Sequence, residues 1–249
     1  SVTRDNKYYF NCMNTDTICI FTDDGNVHQI KVQKIPTKKV REKGVPIDNL
    51  GNYSSQGESI VALVSFSQIK DKKLLFTTKN GIKLVDGSEF ETNRKTMAAT
   101  KLAAGDELVS VKVTRVSERE VNNEDMDMPV VLSGGSDDFE PLDFEQMEFG
   151  GMDMIDDNAP DTELQYTREI LVLQTNEGIF LRFPIKEVPE MKKATLGVRG
   201  IKLNPDDFVS NVYLLDVGDN EVVKCKGKKV DLRKLKIGKR GTKGVKVRK

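Results

Sequence analysis

The feature that most restricts how this chain can fold is an internal repeat. Three segments run from an apolar, β-type stretch into a turn of the form Thr-x-x-Gly: ICIFTDDG ending at Gly25, LLFTTKNG ending at Gly81 and ILVLQTNEG ending at Gly178. A further apolar-rich stretch follows each turn. Glycine supplies the positive φ that tight hairpins need, and Asp-Gly and Asn-Gly are strong short-range hairpin signals. The pair Glu177 and Gly178 fits less well but keeps the glycine.

A second glycine recurs at fixed distance, Gly44 standing nineteen residues after Gly25 and Gly197 nineteen after Gly178. It opens a shared element, GVPIDNL from Gly44, GVRGIKL from Gly197 and GTKGVKV from Gly241, with TMAATKL from Thr96 as a glycine-free version. An acidic-then-apolar strand start comes next, in GESIVALVSF, GDELVSVKV and PDDFVSNVYLL. The unit is therefore about 45 to 50 residues long, in the range of propeller blades. Four repeats are visible, over residues 8–57, 58–117, 166–211 and 212–249. Helical periodicity is weak, whereas Ile179, Leu181 and Phe183 alternate with Phe180 and Arg182. Alternation of that kind predicts strands, so the expected architecture is a single all-β, radially repeated domain.

Net charge hides the most informative part of the composition. The chain has 39 basic and 39 acidic residues, a balance that ordinarily argues against a nucleic-acid partner. Between Glu118 and Glu163, however, sixteen residues are acidic and only Arg119 is basic, so fifteen negative charges sit there and the remainder carries fifteen positive ones. Residues 118–165 read as an acidic, flexible insertion between the second and third repeats, because dense charge with scattered Gly, Pro and Met buries too little to order itself. Folding over the basic remainder and competing with its ligand is the regulatory role expected of such a segment.

The positive charge recurs beside the second glycine in every repeat. The clusters are Lys38, Lys39, Arg41 and Lys43; Arg94, Lys95 and Lys101; Lys192, Lys193, Arg199 and Lys202; and Lys239, Arg240, Lys243 and Lys246. Equivalent positions of successive blades lie along one rim, so four clusters in register predict a basic track able to follow a phosphate backbone. Glycine there lets backbone N–H groups approach phosphate oxygens; the plainer alternative is that it only shapes turns. No aromatic residues interleave with the cations and no recognition helix is apparent, which favours duplex over single strands and electrostatic grip over base readout.

Catalysis finds no constellation. His28 is the only histidine and lies three residues after its turn glycine, where the other repeats have Leu84 and Leu181, a packing slot. Nearly half the carboxylates lie in the acidic insertion without partners of another type, unlike a metal or acid–base site. There is no phosphate loop and no nucleophile elbow, so neither a cofactor nor a metal is expected for this domain. Tyr8, Tyr9, Tyr53, Tyr166 and Tyr213 sit in or beside repeat strands and loops, which suits packing or rim roles. Cys12, Cys19 and Cys225 form no Cys-x-x-Cys pair and read as reduced cytosolic thiols. No apolar run reaches the roughly 18 to 20 residues of a membrane span, and the opening residues from Ser1 lack a secretory pattern, as in a cytoplasmic fragment of something longer.

Three stretches carry a family likeness: ILVLQTNEGIFLRF from Ile170 followed by KKATLGVRGIKL from Lys192, the run LLFTTKNGIKLV, and KLAAGDELVSVKV from Lys101. Over nearly its whole length the chain resembles the C-terminal domain of the DNA gyrase A subunit, or of its topoisomerase IV counterpart. The resemblance implies a β-pinwheel, a propeller-like disc in which neighbouring blades exchange strands and around whose basic perimeter duplex DNA bends. It also implies that the catalytic tyrosine lies outside this chain in the remainder of the A subunit, and that ATP and Mg belong to the parent enzyme with its ATPase B subunit. Gyrase members carry a box, Gln-Arg-Arg-Gly-Gly-Lys-Gly, tied to DNA wrapping and negative supercoiling. Its nearest counterpart here is Gly238, Lys239, Arg240, Gly241, Thr242, Lys243 and Gly244. Gly238 replaces the glutamine, Thr242 replaces a glycine, and the motif stands in the last repeat rather than the first. A topoisomerase IV-like role, positioning DNA segments for relaxation or decatenation, is the alternative within the family. A propeller scaffold for protein–protein contacts is the alternative from another class.

Overall fold

The computed structural model describes residues 8, 10–39, 41–114, 169–216 and 219–247. The acidic insertion expected at 118–165, Tyr9 and Tyr166 lie outside the described residues.

Each Thr-x-x-Gly motif closes a hairpin. In the first blade β1 (Thr17–Thr22) pairs with β2 (Asn26–Lys31). Gly25 turns between them at φ +80°, its N–H donating to the Thr22 carbonyl at 3.0 Å. The chain then returns as β3 (Ile60–Ser65), antiparallel to β1 on its other side. In the second blade β4 (Lys73–Thr78) and β5 (Ile82–Asp86) form the hairpin. After β6 (Thr96–Ala98), strand β7 (Leu108–Val113) returns to β4. The third blade repeats this with β8 (Glu169–Thr175), β9 (Ile179–Pro184) and a returning β10 (Val209–Asp216). The fourth contains β11 (Val222–Cys225) and β12 (Lys228–Asp231).

The element opened by the second glycine leaves its own blade. Strand β6 of the second repeat pairs with β2 of the first, setting Ala98, Met97 and Thr96 opposite Asn26, Val27 and His28. Val198 of the third repeat bridges Ile82 of the second. Strand β13 (Val245–Lys246) of the fourth pairs with β9 of the third. This is the strand exchange that only the family resemblance implied, and it makes the fold an all-β pinwheel. The repeat periodicity could not reveal it, because a period marks equal phases along the sequence and not which strands share hydrogen bonds. For the same reason β3 lies beyond the repeat boundary at residue 57 yet completes the first sheet, and β10 runs across the boundary at 211.

Apolar contacts weld the blades edge to edge. Phe21 of the first blade meets Phe76 and Phe90 of the second repeat edge-on, with ring centroids 5.7 and 5.3 Å apart. Leu75, Ile82 and Leu84 share a buried cluster with Leu171, Leu173 and Leu181 of the third blade. Each fully buried side chain of this size contributes about 1.5–3 kcal/mol.

Polar side chains complete the junctions by reaching backbone carbonyls of the following repeat. Gln29 donates to the Phe90 carbonyl at 2.7 Å. Arg182 donates to the Leu235 carbonyl at 3.0 Å. Lys83 is 1% exposed, and its Nζ donates to the carbonyls of Lys192, Lys193 and Thr195 at 3.2, 2.8 and 2.7 Å. Burial pushes the Lys83 ammonium down to about 8, with Glu89 opposing that shift. Lys83→Met keeps the stem but leaves three carbonyls without their shared donor, so it is expected to cost about 3 kcal/mol. Urea unfolding checks this by a lower midpoint at unchanged slope.

Lys73 closes the mouth of the second hairpin, bonding Asp86 across the register and Glu190 of the third repeat, each at 2.9 Å. Burial alone would raise the Asp86 carboxyl, but hydrogen bonds from Ser88 and Lys73 outweigh it and hold the group well below the usual aspartate range. The folded form then binds fewer protons than the unfolded chain, so Asp86 contributes stability that is complete above the ordinary value of about 3.9 and lost as pH falls through the folded one. Asp86→Asn is expected to flatten the decline of stability between about pH 5 and 2.5, read by urea midpoints in that window.

Candidate nucleic-acid interface

Glycines of the donated elements press against the backbone or side chains of the preceding blade. A Cβ on Gly197 would stand 2.9 Å from the Ile82 carbonyl oxygen, one on Gly200 2.7 Å from Leu173 Cδ1, and one on Gly244 would overlap the Phe180 carbonyl. These residues are glycine because strand exchange brings backbone onto blade, a third reason beyond phosphate approach or turn-making. Gly241 alone among the second-glycine positions has positive φ, at +77°. In the glycine-free version the small buried Ala99 stands where the others have Gly200 and Gly244, its N–H donating to the Gly25 carbonyl at 2.8 Å. Gly44 has nothing within 4 Å of a built Cβ. Its element forms a 3-10 turn over Ile47–Asn49, and Ile47 and Leu50 pack on the cluster of Ile20, Ile30 and Tyr53 of its own blade.

The donated elements of the third and fourth repeats join along the edge. The Gly241 N–H donates to the Gly200 carbonyl at 2.7 Å, the Lys202 N–H to the Thr242 carbonyl at 2.9 Å, and Arg240 Nη1 to the Arg199 carbonyl at 2.9 Å. Arg199, Lys202, Lys239 and Lys243 are thus exposed cations on one hydrogen-bonded run. Arg94, Lys95 and Lys101 are exposed beside β6, and Lys38, Lys39, Arg41 and Lys43 flank the undonated first element.

Four of the cations singled out from sequence have protein partners. Lys193 is half-buried, donating to the Glu89 carbonyl with its Nζ 5.8 Å from the Phe90 ring centroid. Arg240 is half-buried too, its Nε donating to the Glu187 carbonyl at 2.7 Å. Both hold blades together. Lys246 pairs with Glu177 at 2.9 Å and Lys192 with Glu89 at 3.6 Å, contacts that exposure makes worth little.

His28 occupies the packing position expected of it, 4% exposed, with Nε2 2.8 Å from Glu58 and Nδ1 2.9 Å from Thr96 of the donated β6. Tyr53 and Tyr213 bond the Glu58 carbonyl and Gln174. Among the described residues no three His, Cys, Asp or Glu gather to hold a metal ion.

The family description "DNA gyrase C-terminal domain, beta-propeller" matches residues 16–66, 73–115, 169–216 and 226–249, one stretch for each repeat. The chain belongs to the DNA gyrase C-terminal domain family. It is 31% identical over 240 residues to the DNA gyrase A subunit of Helicobacter pylori, covering 93% of this chain and 23% of that relative. The chain therefore spans about a quarter of the relative's length. Among solved structures, the C-terminal domain of DNA topoisomerase IV superposes with TM-score 0.66 at 20% identity, over 93% of this chain and 58% of that one. The DNA gyrase A C-terminal domain superposes with TM-score 0.55 at 19% identity, over 94% and 60%. These two likenesses bear on the fold.

One basic feature of this gyrase-family domain escaped the sequence reading. Lys31, at the end of β2, and Lys34, in the 3-10 turn Val32–Lys34, line a groove of about 350 Å³ together with Arg94 and Lys95. They stand far from any second glycine in sequence, and the signal that could have found them is the hairpin register, which places Lys31 opposite Thr17 at the strand ends.

Proposed function

We propose that this chain is the DNA-wrapping C-terminal domain of a gyrase-type topoisomerase A subunit, gripping duplex DNA along its outer edge and bending it without performing bond chemistry. The observation that carries the reading is the hydrogen-bonded run of exposed cations on the donated elements, Arg199, Lys202, Lys239 and Lys243. Strand exchange lays cations at both ends of a donated strand, as Arg94 and Lys101 flank β6 on the first blade. Lysine and arginine on a rim without aromatic neighbours favour phosphate contact, which carries no sequence information.

In this reading the domain uses no cofactor. The remainder of the A subunit supplies the cleaving tyrosine, the B subunit supplies ATP hydrolysis with Mg, and the assembly works on DNA in the cytoplasm. Among the described residues no helix is long and apolar enough to cross a membrane. Titrating duplex with the chain at rising salt tests the reading: log affinity falls linearly with log salt, by about 0.9 per phosphate contacted. Absent binding, or binding indifferent to salt, overturns it.

A second reading within the family, DNA-segment positioning of the topoisomerase IV kind, is favoured by the departures of Gly238 and Thr242 from the gyrase box. ATP-dependent negative supercoiling by the complete enzyme supports the first reading, and relaxation or decatenation alone supports the second.

A further inference from the structure

The mouths of the first two hairpins differ in charge. At the second, Lys73 faces Asp86 across the strand ends and Glu190 arrives from the following repeat, so two carboxylates meet the one ammonium. At the first, the facing pair is Thr17 and Lys31, and the following repeat brings Thr92, Asn93, Arg94 and Lys95. None of the eleven residues lining this groove is acidic. Lys31, Lys34, Arg94 and Lys95 are all exposed, and none has an ion pair among the described residues. Like charges gathered in one concavity focus a positive potential that an anion relieves.

We infer that this groove is a phosphate-binding notch that seats backbone phosphates of the duplex, so that the grip extends to the junction of the first and second blades. The inference rests on the proposed DNA-wrapping function and adds Lys31 and Lys34 to the contact surface. The side chains suit phosphate better than base: the cations are mainly lysine point charges, Thr17 and Asn93 supply uncharged polar groups, and no aromatic face is present for stacking. At the second junction Asp86 and Glu190 already occupy Lys73.

The test is lysine acetylation of the 249-residue chain, read by mass spectrometry with and without a random-sequence duplex, paired with salt titrations of three double variants. Lys31 and Lys34 are expected to be protected by duplex. Lys31→Glu with Lys34→Glu is expected to lower the salt slope by about 2 and affinity at least tenfold. Lys70→Glu with Lys72→Glu changes two exposed lysines that do not line the groove and is expected to leave the slope unchanged. If the groove pair behaves like the Lys70 and Lys72 pair while Arg199→Glu with Lys202→Glu weakens binding, the notch is overturned and the wrapping function stands. Protection by inorganic tripolyphosphate but not by duplex overturns it in favour of a small polyphosphate ligand. If the unaltered chain binds no duplex, both fall.

Discussion

Replacing Arg199, Lys202 and Lys243 together by glutamate is expected to lower duplex affinity by about 10²- to 10³-fold at ~0.1 M salt, from the loss of three phosphate contacts at about 0.9 decades each. The three side chains are exposed, carry no ion pair among the described residues, and project from elements tied by the Gly241–Gly200 and Lys202–Thr242 hydrogen bonds. The fold is expected to stay intact, since surface substitutions of this kind change stability within about 0.5 kcal/mol. Unrelated duplex sequences should suffer alike, because phosphate contacts position a protein without reading bases. Fluorescence anisotropy on two duplexes of different sequence measures this, and a loss confined to one of them contradicts the mechanism. Reversing Lys193 or Arg240 instead confounds binding with unfolding, since both are bound to Glu89 and Glu187 backbone in blade junctions.

Gly244→Ala is expected to destabilise the domain by about 2–4 kcal/mol, because the new Cβ overlaps the Phe180 carbonyl, which cannot move without breaking the sheet. The expected consequence is detachment of β13 from β9, with loss of the Val247 N–H bond to the Gly178 carbonyl, 3.0 Å in the intact protein. Faster hydrogen exchange at the Val247 amide, alongside a lower urea midpoint, reports that detachment. Gly44→Ala is the control, since its Cβ meets nothing within 4 Å and its element is packed on its own blade. Equal destabilisation by the two substitutions would contradict the view that the glycines of the donated elements serve strand exchange. Under the proposed function, duplex affinity of Gly244→Ala at a temperature where the rest of the fold survives should also drop, as the placement of Lys243 depends on the docked element.

Much of the architecture was legible in the sequence, because hairpins are local. Gly25 and Gly178 sit at positive φ in turns set by Thr22 and Thr175, as the Thr-x-x-Gly motif predicts. The burial of His28 was legible too, since its phase matches Leu84 and Leu181, both buried. Strand exchange was not legible in the residues, because pairing Ile82 with Val198 or Phe180 with Val245 joins segments a whole repeat apart and leaves no local trace. Spacing marks where the cations cluster, but it does not tell an exposed Lys243 from a Lys193 whose ammonium is spent on the Glu89 carbonyl. Lys31 and Lys34 were invisible for the converse reason: their place in a basic groove depends on Arg94 and Lys95, brought beside them by the donated strand of the next repeat.

The most direct test of DNA held against the outer edge is the distance between the ends of a duplex of about one persistence length, roughly 150 base pairs, labelled at both ends and titrated with the chain. The ends should approach one another as binding saturates, and the Arg199, Lys202 and Lys243 reversal should abolish that approach. Saturable binding that leaves the end-to-end distance unchanged would contradict wrapping.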